Sequence, residues 1–346
     1  MIPGKHMKAV IFHGPKQIRL EEVPVPRPGP GEILLKVGAA LTCGTDFKAY
    51  RQGHPVLLGE SPAPFGHEFA GTVVSVGLGV RDLAPGMRVV SANSAPCDDC
   101  FFCAKGQTQL CENLKLHNGA YAQYNLIPSH IVRRNVHPLQ DGVDFKTAAL
   151  SEPLACALHA VDAMQVRSGE SVAILGSGIM SMLLTGALKV RGARVLAVGR
   201  SHANLQRVRD AGADSAVSSN DEDPAQSARS FSGGHGPDCV FEAVGTPQTW
   251  ETAVKMVRRG GRVCLYGGCS QGTQVKVDAH RIHYGQISLH GVFHHTPRHF
   301  KQALDLLSSR QVDSRRFIAD EIALQDVPGY FEAMHARSPL KVAVFP

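Results

Sequence analysis

The chain has 346 residues, of which 43% are hydrophobic and 19% are charged, so it can bury a large core and form two domains. The net charge of +6 comes from lysines and arginines that are dispersed along the chain with little aromatic interleaving, which argues against a nucleic-acid-binding protein. No apolar run reaches the ~18 residues that a membrane-spanning helix needs, and no signal segment opens the chain, so we expect no membrane partner either.

The first third of the chain is rich in proline and glycine, and turn signals such as Pro28-Gly29-Pro30-Gly31 separate short runs of β-strand character. Residues 1–6 are expected to be an extension or tag, followed by a strand at Lys8–Phe12. Later strands are predicted at Glu32–Val37, Gly71–Val76 and Met87–Ser91. Such a pattern is typical of a small, irregular β-barrel or sandwich.

Four of the nine cysteines lie in one short run, Cys97-x2-Cys100-x2-Cys103-x7-Cys111. Neighbouring thiols in this run are too close for well-formed disulfides, whereas four thiolates at this spacing fit one tetrahedral Zn2+. Scattered structural cysteines are the alternative, and the clustering argues against them. A closed four-thiolate shell leaves no open position, so we expect this zinc to hold a loop without regular structure and to take no part in chemistry. Metal-type cysteine use also favours a reducing, cytoplasmic compartment.

From about Pro153 the pattern changes to strands that alternate with helices. Helices are predicted at Leu154–Met164, Ile179–Arg191 and Ala203–Ala211, and strands at Ser171–Leu175, Arg194–Val198, Cys239–Phe241, Gly261–Leu265 and Ile287–Phe293. This alternation predicts a doubly wound parallel sheet with right-handed crossovers. The tail adds a predicted helix at Arg298–Leu307 and a strand at Leu340–Phe345.

The run Gly176-Ser177-Gly178-Ile179-Met180-Ser181 lies between a predicted strand and a predicted helix, as a dinucleotide fingerprint requires. Gly176 permits the tight turn, Gly178 lets the backbone approach a pyrophosphate, and the helix N-terminus supplies N–H groups. The third position is Ser181 instead of glycine, which weakens the match and leaves a merely glycine-rich turn as the alternative. The surrounding strand–helix–strand pattern favours the dinucleotide site.

The second strand of this predicted sheet ends at Gly199-Arg200-Ser201, where enzymes that use NAD usually place a carboxylate against the ribose hydroxyls. A carboxylate would repel a 2′-phosphate, whereas Gly199 leaves room and Arg200 can bind phosphate through two parallel donors. The sequence therefore predicts NADP as the cofactor. The alternative is a solvated surface arginine with a relaxed choice that includes NAD.

Two further motifs, Cys43-Gly44-Thr45-Asp46 and Gly66-His67-Glu68, supply a thiolate, an imidazole and a carboxylate. Three mixed ligands with an open fourth position are how a catalytic zinc is held, so we expect Cys43, His67 and Glu68 to bind a second zinc ion. Glu152 precedes Pro153 at the predicted domain junction and is expected to be a fourth ligand or to hold a water there. Taken individually, Cys43 would be a buried apolar residue and His67 a core histidine.

At this point the chain resembles the zinc-dependent medium-chain dehydrogenases, and the sorbitol and threonine dehydrogenase branch in particular. The resemblance rests on Gly66-His67-Glu68-x2-Gly71-x5-Gly77-x2-Val80, on Gly86-x-Arg88-Val89 and on Glu152-Pro-Leu-Ala-x-Ala-Leu-His159. It implies a GroES-like, β-rich zinc catalytic domain at 7–153 and 295–346, interrupted by a Rossmann dinucleotide-binding domain at 154–294. It also implies a homodimer or homotetramer.

The resemblance extends to individual residues. It implies further cofactor contacts at Ile179, Met180, Val244 and Gly267, and substrate contacts at Asn93, His294 and His295, each of which could instead be a surface polar residue. Thr45 is expected to take the substrate's hydroxyl proton. Relatives usually carry a histidine five residues after the ligand cysteine, where this chain has Lys48. Either Lys48 relays the proton, or Thr45 and the cofactor ribose pass it directly to water.

The implied reaction is the reversible oxidation of a secondary alcohol to a ketone with NADP, on a polyol, sugar or cyclitol. The polar character of Asn93, His294 and His295 favours a substrate with several hydroxyls. An amino-alcohol dehydrogenase of the threonine type that uses NAD is the alternative. A non-catalytic binding or structural protein on the same fold is a third hypothesis, which the intact motifs argue against.

Overall fold

The computed structural model describes residues 4–54, 58–333 and 340–346, so residues 1–3 of the expected extension lie outside the described part of the chain. The chain divides into two compact units. One unit combines the residues up to Ala155 with those from His295 onward, and the other runs from Cys156 to His294. The first strand begins at His6, two residues earlier than the sequence predicts.

The first unit is built mainly from antiparallel strands. They are β1 (His6–Gly14), β2 (Gln17–Pro24), β3 (Ile33–Leu41), β4 (Ala63–Pro64), β5 (Glu68–Val76), β6 (Arg88–Ser91), β7 (Tyr124–Ile127) and β8 (Val136–Pro138), followed in the tail by β15 (Ile318–Ala323) and β16 (Lys341–Phe345). One three-stranded sheet has the order β2-β1-β4, and a seven-stranded sheet has the order β15-β16-β3-β5-β6-β8 with β7 also paired to β3.

Two glycines allow close backbone approaches at the centre of the larger sheet, Gly71 between β5 and β3 and Gly77 between the segments just outside these strands. A Cβ at Gly71 would lie 2.1 Å from the carbonyl oxygen of Lys36, and a Cβ at Gly77 would lie 1.7 Å from that of Gly29. A side chain at either position would collide with the facing backbone, so both positions require glycine. The close pairing brings the end of β3 next to the start of β5, where the register joins Leu41 to Glu68.

The helices of the first unit are short except near its boundaries. They are α1 (Gly44–Gln52), α2 (Phe101–Ala104), α3 (Ser129–Asn135), α4 (Phe145–Ala149), α5 (Ser151–Ala163), and in the tail α11 (Pro297–Ser308) and α12 (Val327–Ala333). The boundary between the units falls within α5. The cysteine-rich segment is not the irregular loop that the sequence predicts, because it contains α2 and a 3-10 turn at Thr108–Leu110.

An aromatic cluster fills the core of the first unit. Phe331 stacks on Phe47 at a centroid distance of 4.6 Å and meets Phe65 edge to face at 5.4 Å. Phe65 in turn contacts Tyr121 at 5.8 Å. The tail contributes Phe331 to this cluster, so the core of the first unit is built from both of its chain segments.

The second unit is a parallel sheet with intervening helices. Its strands are β9 (Ser171–Leu175), β10 (Arg194–Gly199), β11 (Ser215–Ser218), β12 (Cys239–Glu242), β13 (Arg262–Leu265) and β14 (Ser288–Gly291), in the order β11-β10-β9-β12-β13-β14. Its helices are α6 (Ile179–Val190), α7 (His202–Asp210), α8 (Pro224–Phe231), α9 (Pro247–Met256) and α10 (Ala279–Gly285). The order reverses between β9 and β12, which is the switch point where such sheets bind ligands.

The central strands of this sheet, β9 and β12, are buried along their whole length. One core cluster includes Ala173, Leu175, Val198, Val240 and Val263. The last strand is shorter than predicted, since only Ser288–Gly291 pairs with β13. No helix in the described part of the chain is long and apolar enough to cross a membrane.

Candidate active site

The four cysteines of the predicted zinc lobe lie together. Their Sγ atoms are all within 4.8 Å of one another. Cys100 directly precedes α2, and the backbone N–H of Cys97 donates to Cys111 Sγ at 3.3 Å. A tetrahedral zinc with Zn–S bonds of about 2.3 Å separates its sulfurs by about 3.8 Å, so the donor set fits this ion. Residues Cys97, Cys100, Cys103 and Cys111 would hold it.

The electrostatics of the lobe favour thiolate formation at one of these positions. The backbone N–H of Cys103 lowers the pKa of Cys100 to about 6, despite the opposing effect of burial. Burial raises the pKa of Cys103 to about 12. A dication would draw the remaining protons off, because thiolates are the form that binds metal.

The second predicted donor set is assembled where strands of the larger sheet end. Cys43 follows β3, His67 precedes β5, and Glu68 is the first residue of β5. One donor atom from each lies within 4.8 Å of the other two. His67 and Glu68 are buried, with 4% and 0% of their surface exposed. The turn before them depends on Gly66, whose φ of +84° and contact with the Tyr121 ring exclude a side chain.

Asp46 orients this donor set, a role that the sequence analysis did not assign. Its Oδ1 accepts a hydrogen bond from His67 Nδ1 at 2.8 Å, and its Oδ2 accepts one from the Tyr121 hydroxyl at 2.6 Å. Asp46 also caps α1 by accepting from the N–H of Cys43 at 3.2 Å. With Nδ1 donating to Asp46, His67 presents the lone pair of Nε2 to a metal.

Lys341 supplies a buried positive charge to the same cluster. Its Nζ lies 2.6 Å from both carboxylate oxygens of Glu68 and 3.0 Å from the carbonyl oxygen of Thr42. Burial raises the pKa of Glu68 well above its usual range, and Lys341 opposes that rise. Burial also raises the pKa of Cys43, but Lys341 and His67 outweigh it and bring the pKa down to about 7. Lys341 therefore favours the ionised forms of both donors.

Glu152 belongs to the first unit and lies close to this cluster. It is 7% exposed, and its Oε1 lies 3.8 Å from His295 Nε2. Burial raises the pKa of Glu152 to about 7, an effect that His67 opposes and Glu68 reinforces. A carboxyl group with this pKa can exchange a proton near neutral pH.

The other predicted site residues of the first unit have different surroundings. Thr45 and Lys48 lie on the same face of α1, and Lys48 is exposed. Asn93 is 3% exposed, and its Oδ1 has no hydrogen-bond partner among the described residues. His295 is 2% exposed and its ring lies 5.7 Å from that of Phe300.

In the second unit, the predicted fingerprint follows β9 and leads into α6. Gly176 has a φ of +124°, and a Cβ there would lie 3.0 Å from Ser181 Oγ. Gly178 is the N-cap of α6 and nothing lies within 4 Å of its missing Cβ, so a phosphate can approach the backbone. Ile179 and Met180 form the first turn and are half-buried. Ser181 is small enough for the close approach of strand and helix.

The predicted ribose-binding segment lies at the end of β10. Gly199 is its last residue, Arg200 is exposed, and Ser201 caps α7 by accepting from the N–H of Asn204 at 3.4 Å. The carbonyl oxygen of Arg200 accepts a hydrogen bond from Asn220 Nδ2 at 3.1 Å, which fixes the backbone beside the guanidinium.

A buried glutamate connects the loops after β12 and β13. Glu242 is fully buried, and its Oε1 accepts from the N–H groups of Val244 and Gly245 at 2.8 and 2.9 Å. Its carbonyl oxygen accepts from the N–H of Gly267 at 2.8 Å. Val244 and Gly267, two predicted cofactor contacts, therefore lie on loops tied to one residue at the carboxyl edge of the sheet.

The sequence analysis missed Asp46, Tyr121, Lys341 and Glu242 as site residues. Asp46 stood in the quoted motif, and its position three residues after Cys43 is the signal of a helix capping box. Glu242 is the last residue of a buried strand and precedes a loop with Gly245, which is a detectable position for a site residue. Nothing local distinguishes Tyr121 or Lys341.

Zinc ligands in one unit and dinucleotide binding in the other occur together in zinc-type dehydrogenases, and this is the class that the fold and the donor chemistry define. Residues 29–140 match the alcohol dehydrogenase GroES-like domain family, and residues 178–309 match the zinc-binding dehydrogenase family. The expected GroES-like domain and Rossmann sheet are thereby confirmed.

Known proteins resemble the chain over nearly its whole length. It is 32% identical to the L-threonine 3-dehydrogenase of Thermococcus kodakarensis over 340 residues, which cover 94% of both chains. It is 28% identical to a sorbitol dehydrogenase of Halalkalibacterium halodurans over 349 residues, covering 98% of this chain and 99% of the relative. The crystal structure of a zinc-binding dehydrogenase from Sinorhizobium meliloti bound to NADP superimposes with a TM-score of 0.91 at 30% identity, covering 99% and 100% of the two chains. The chain belongs to the zinc-dependent medium-chain dehydrogenase family, and it is an oxidoreductase of the zinc-type alcohol and polyol dehydrogenase group.

Proposed function

We propose that the protein oxidises a secondary alcohol of the polyol, sugar or cyclitol class to a ketone, with NADP as the hydride acceptor and with the reverse reaction also available. We infer the substrate class from the buried amide of Asn93, because its Oδ1 has no hydrogen-bond partner among the described residues. An unpaired buried acceptor costs about 1–3 kcal/mol, which a substrate hydroxyl would recover. His295, buried beside Glu152, offers a second polar group.

In this proposal Cys43, His67 and Glu68 hold a catalytic zinc, with Glu152 as a further ligand or as the holder of a water. Bound there, zinc supplies a Lewis acid that lowers the pKa of a coordinated hydroxyl group. Asp46 keeps His67 Nε2 turned toward the ion, and Lys341 balances the negative charge of the donors. The four thiols of the lobe hold a second, structural zinc.

The proton route starts at the hydroxyl of Thr45, which accepts the proton of the substrate. Lys48, one turn further along α1, is exposed and can pass the proton to solvent. The cofactor binds the second unit, with its pyrophosphate at Gly176 and Gly178 and its 2′-phosphate at Arg200. We also assign residues 7–153 and 295–346 to the catalytic domain and residues 154–294 to the cofactor domain.

A substrate screen tests this function. Polyols, aldoses, cyclitols and amino alcohols are offered with NADP and with NAD, and reduction is followed at the nicotinamide absorbance. We expect the highest kcat/KM for a compound with several hydroxyl groups, and we expect Asn93→Leu to lower it at least tenfold for that compound while 2-propanol oxidation changes less. A highest kcat/KM for simple monohydric alcohols would contradict the substrate class.

A second candidate function is the oxidation of an amino alcohol of the threonine type with NAD. It is favoured by the 32% identity to an L-threonine 3-dehydrogenase over 94% of the chain. The same screen separates the two, because L-threonine with NAD would then exceed every polyol with NADP. If the protein binds neither NADPH nor NADH, the remaining hypothesis of a non-catalytic protein on the same fold would replace both.

We also propose that the protein is a homo-oligomer, formed as a dimer through β14. This edge strand is exposed at all four residues, and Leu289, Tyr284 and Phe293 around it are 37%, 63% and 57% exposed. Exposed edge strands with apolar side chains pair readily with another strand. Leu289→Lys should shift the mass measured by light scattering toward the monomer, whereas Leu78→Lys, at an exposed site of the other unit, should not. A monomeric wild-type protein would contradict this assembly.

A further inference from the structure

The end of β10 has no space for a side chain at Gly199. A Cβ added there would lie 2.5 Å from Ser177 Oγ, 2.7 Å from Ser177 Cβ and 3.3 Å from Leu205 Cδ2. Gly199 is not among the glycines with a positive φ, so its backbone conformation suits any residue. The glycine is required because Ser177 occupies the volume that a side chain would need.

The sheet itself fixes Ser177 in this place. β9 and β10 are parallel neighbours, with Leu175 paired to Val198, and the N–H of Gly176 donates to the carbonyl oxygen of Val198 at 2.8 Å. Gly199, the last residue of β10, and Ser177, two residues after the end of β9, therefore lie at the same edge of the sheet. Because Gly176 is held by that hydrogen bond, Ser177 cannot move away from Gly199 without disturbing the fingerprint turn.

The groups around Ser177 suit a phosphate monoester better than a ribose diol. The Ser177 hydroxyl is half-buried and makes no hydrogen bond within the described part of the chain. The nearby Arg200 is exposed. The carbonyl oxygen of Gly199 is already taken by the N–H of Ser219 at 2.8 Å, and the Asp221 carboxylate lies 3.2 Å from His202 Nε2. The groups that remain available are a hydroxyl donor and a guanidinium, both of which bind phosphate.

We propose that Ser177 is a second determinant of cofactor choice, together with Arg200. Its side chain fills the space that a ribose-binding carboxylate at position 199 would need, and its hydroxyl donates to the 2′-phosphate of NADP. This inference rests on the proposed use of NADP and adds the reason why position 199 alone cannot be converted to the acidic residue of NAD enzymes.

Binding of the reduced cofactors tests the inference without turnover. The single tryptophan, Trp250, donates to the carbonyl oxygen of Gly267 at 3.0 Å and serves as the donor for energy transfer to NADPH or NADH. Ser177→Ala removes one hydrogen bond to a charged group, so Kd for NADPH should rise about tenfold while Kd for NADH stays within about twofold. Ser232→Ala, whose hydroxyl bonds only the end of its own helix, is the matched control and should change neither.

The steric part is tested by combining Gly199→Asp with two different changes at Ser177. Gly199→Asp alone should weaken both cofactors, because the fingerprint turn must shift. Adding Ser177→Gly should restore NADH binding, whereas adding Ser177→Ala should not, because the Cβ at 2.7 Å remains. Tight NADH binding by Gly199→Asp alone would overturn the steric role.

The use of NADP and the role of Ser177 can be refuted separately. If the wild-type protein binds NADH as tightly as NADPH, the proposed use of NADP is wrong and the inference falls with it. If the wild type prefers NADPH but Ser177→Ala leaves its Kd unchanged, only the role of Ser177 is overturned. The Ser177→Ala result stands even if the variants with Gly199→Asp do not fold.

Discussion

Removing Lys341 should destabilise the first unit strongly, because it would leave Glu68 as an uncompensated buried charge. Lys341 and Glu68 are 2% and 0% exposed, and Nζ lies 2.6 Å from both carboxylate oxygens. Breaking a buried ion pair from one side costs about 3–5 kcal/mol, so Lys341→Met should lower the thermal midpoint by roughly 10 °C. Lys146→Met is the matched control, since the partner of Lys146, Glu321, is 52% exposed and such a surface pair contributes about 0–1 kcal/mol.

The comparison is made by thermal unfolding of protein treated with a chelator, because a bound dication would replace part of the lost positive charge. Combining Lys341→Met with Glu68→Gln removes both charges and should recover about half of the lost stability. The stabilising role of the buried ion pair is refuted if Lys341→Met lowers the midpoint no more than Lys146→Met does. It is also refuted if the double variant is no more stable than Lys341→Met.

Two further predictions concern the cysteine lobe and the second unit. Cys100→Ser should lower bound zinc by about one ion per chain and lower the thermal midpoint, without changing the substrate preference of the enzyme that remains folded; full zinc content, measured by atomic emission, would contradict the structural role of the lobe. Asp238 accepts from Ser171 N and Oγ at 2.7 Å and from Arg258 Nε at 2.8 Å, and these bonds lower its pKa although burial opposes them. The ionised Asp238 carboxylate therefore stabilises the fold above its usual pKa of 3.8, and this stabilisation is lost as the pH falls through the lower pKa of the folded state. Asp238→Asn should lower the free energy of unfolding by about 1–2 kcal/mol near neutral pH and by less in acid. Asp210→Asn, at an exposed position, should lower it little at any pH. A cost for Asp238→Asn that does not change with pH would contradict this.

Local patterns were enough to predict most of the Rossmann sheet. β9 spans Ser171–Leu175 as predicted, because a continuously apolar run between turn signals indicates a strand buried on both faces. Short elements were harder to predict. α2 has only four residues, Phe101–Ala104, and no period can be detected over that length. β3 extends to Leu41, four residues past its predicted end, because its pairing with β5 buries the small residues there.

Some residues of the candidate site could be predicted from local sequence, and others could not because they depend on contacts between distant parts of the chain. Cys43, His67 and Glu68 could be predicted because each stands in a motif with a chemical reason. Lys341 could not, since it lies 273 residues after Glu68 and the two meet only through the pairing of β16 with β3 and of β3 with β5. The steric exclusion of a side chain at position 199 by Ser177 could not be predicted either, because it depends on which strands are neighbours in the sheet.

The proposed catalytic zinc site is tested most directly by the zinc content and turnover of His67→Ala. We expect two zinc ions per chain in the wild type and one in the variant, which the cysteine lobe retains. Turnover of the best alcohol should fall below detection, while Kd for NADPH stays within about twofold, because His67 lies in the first unit and the fingerprint in the second. A variant that keeps both zinc ions, or that still oxidises the alcohol, would contradict the assignment of His67 to a catalytic zinc site.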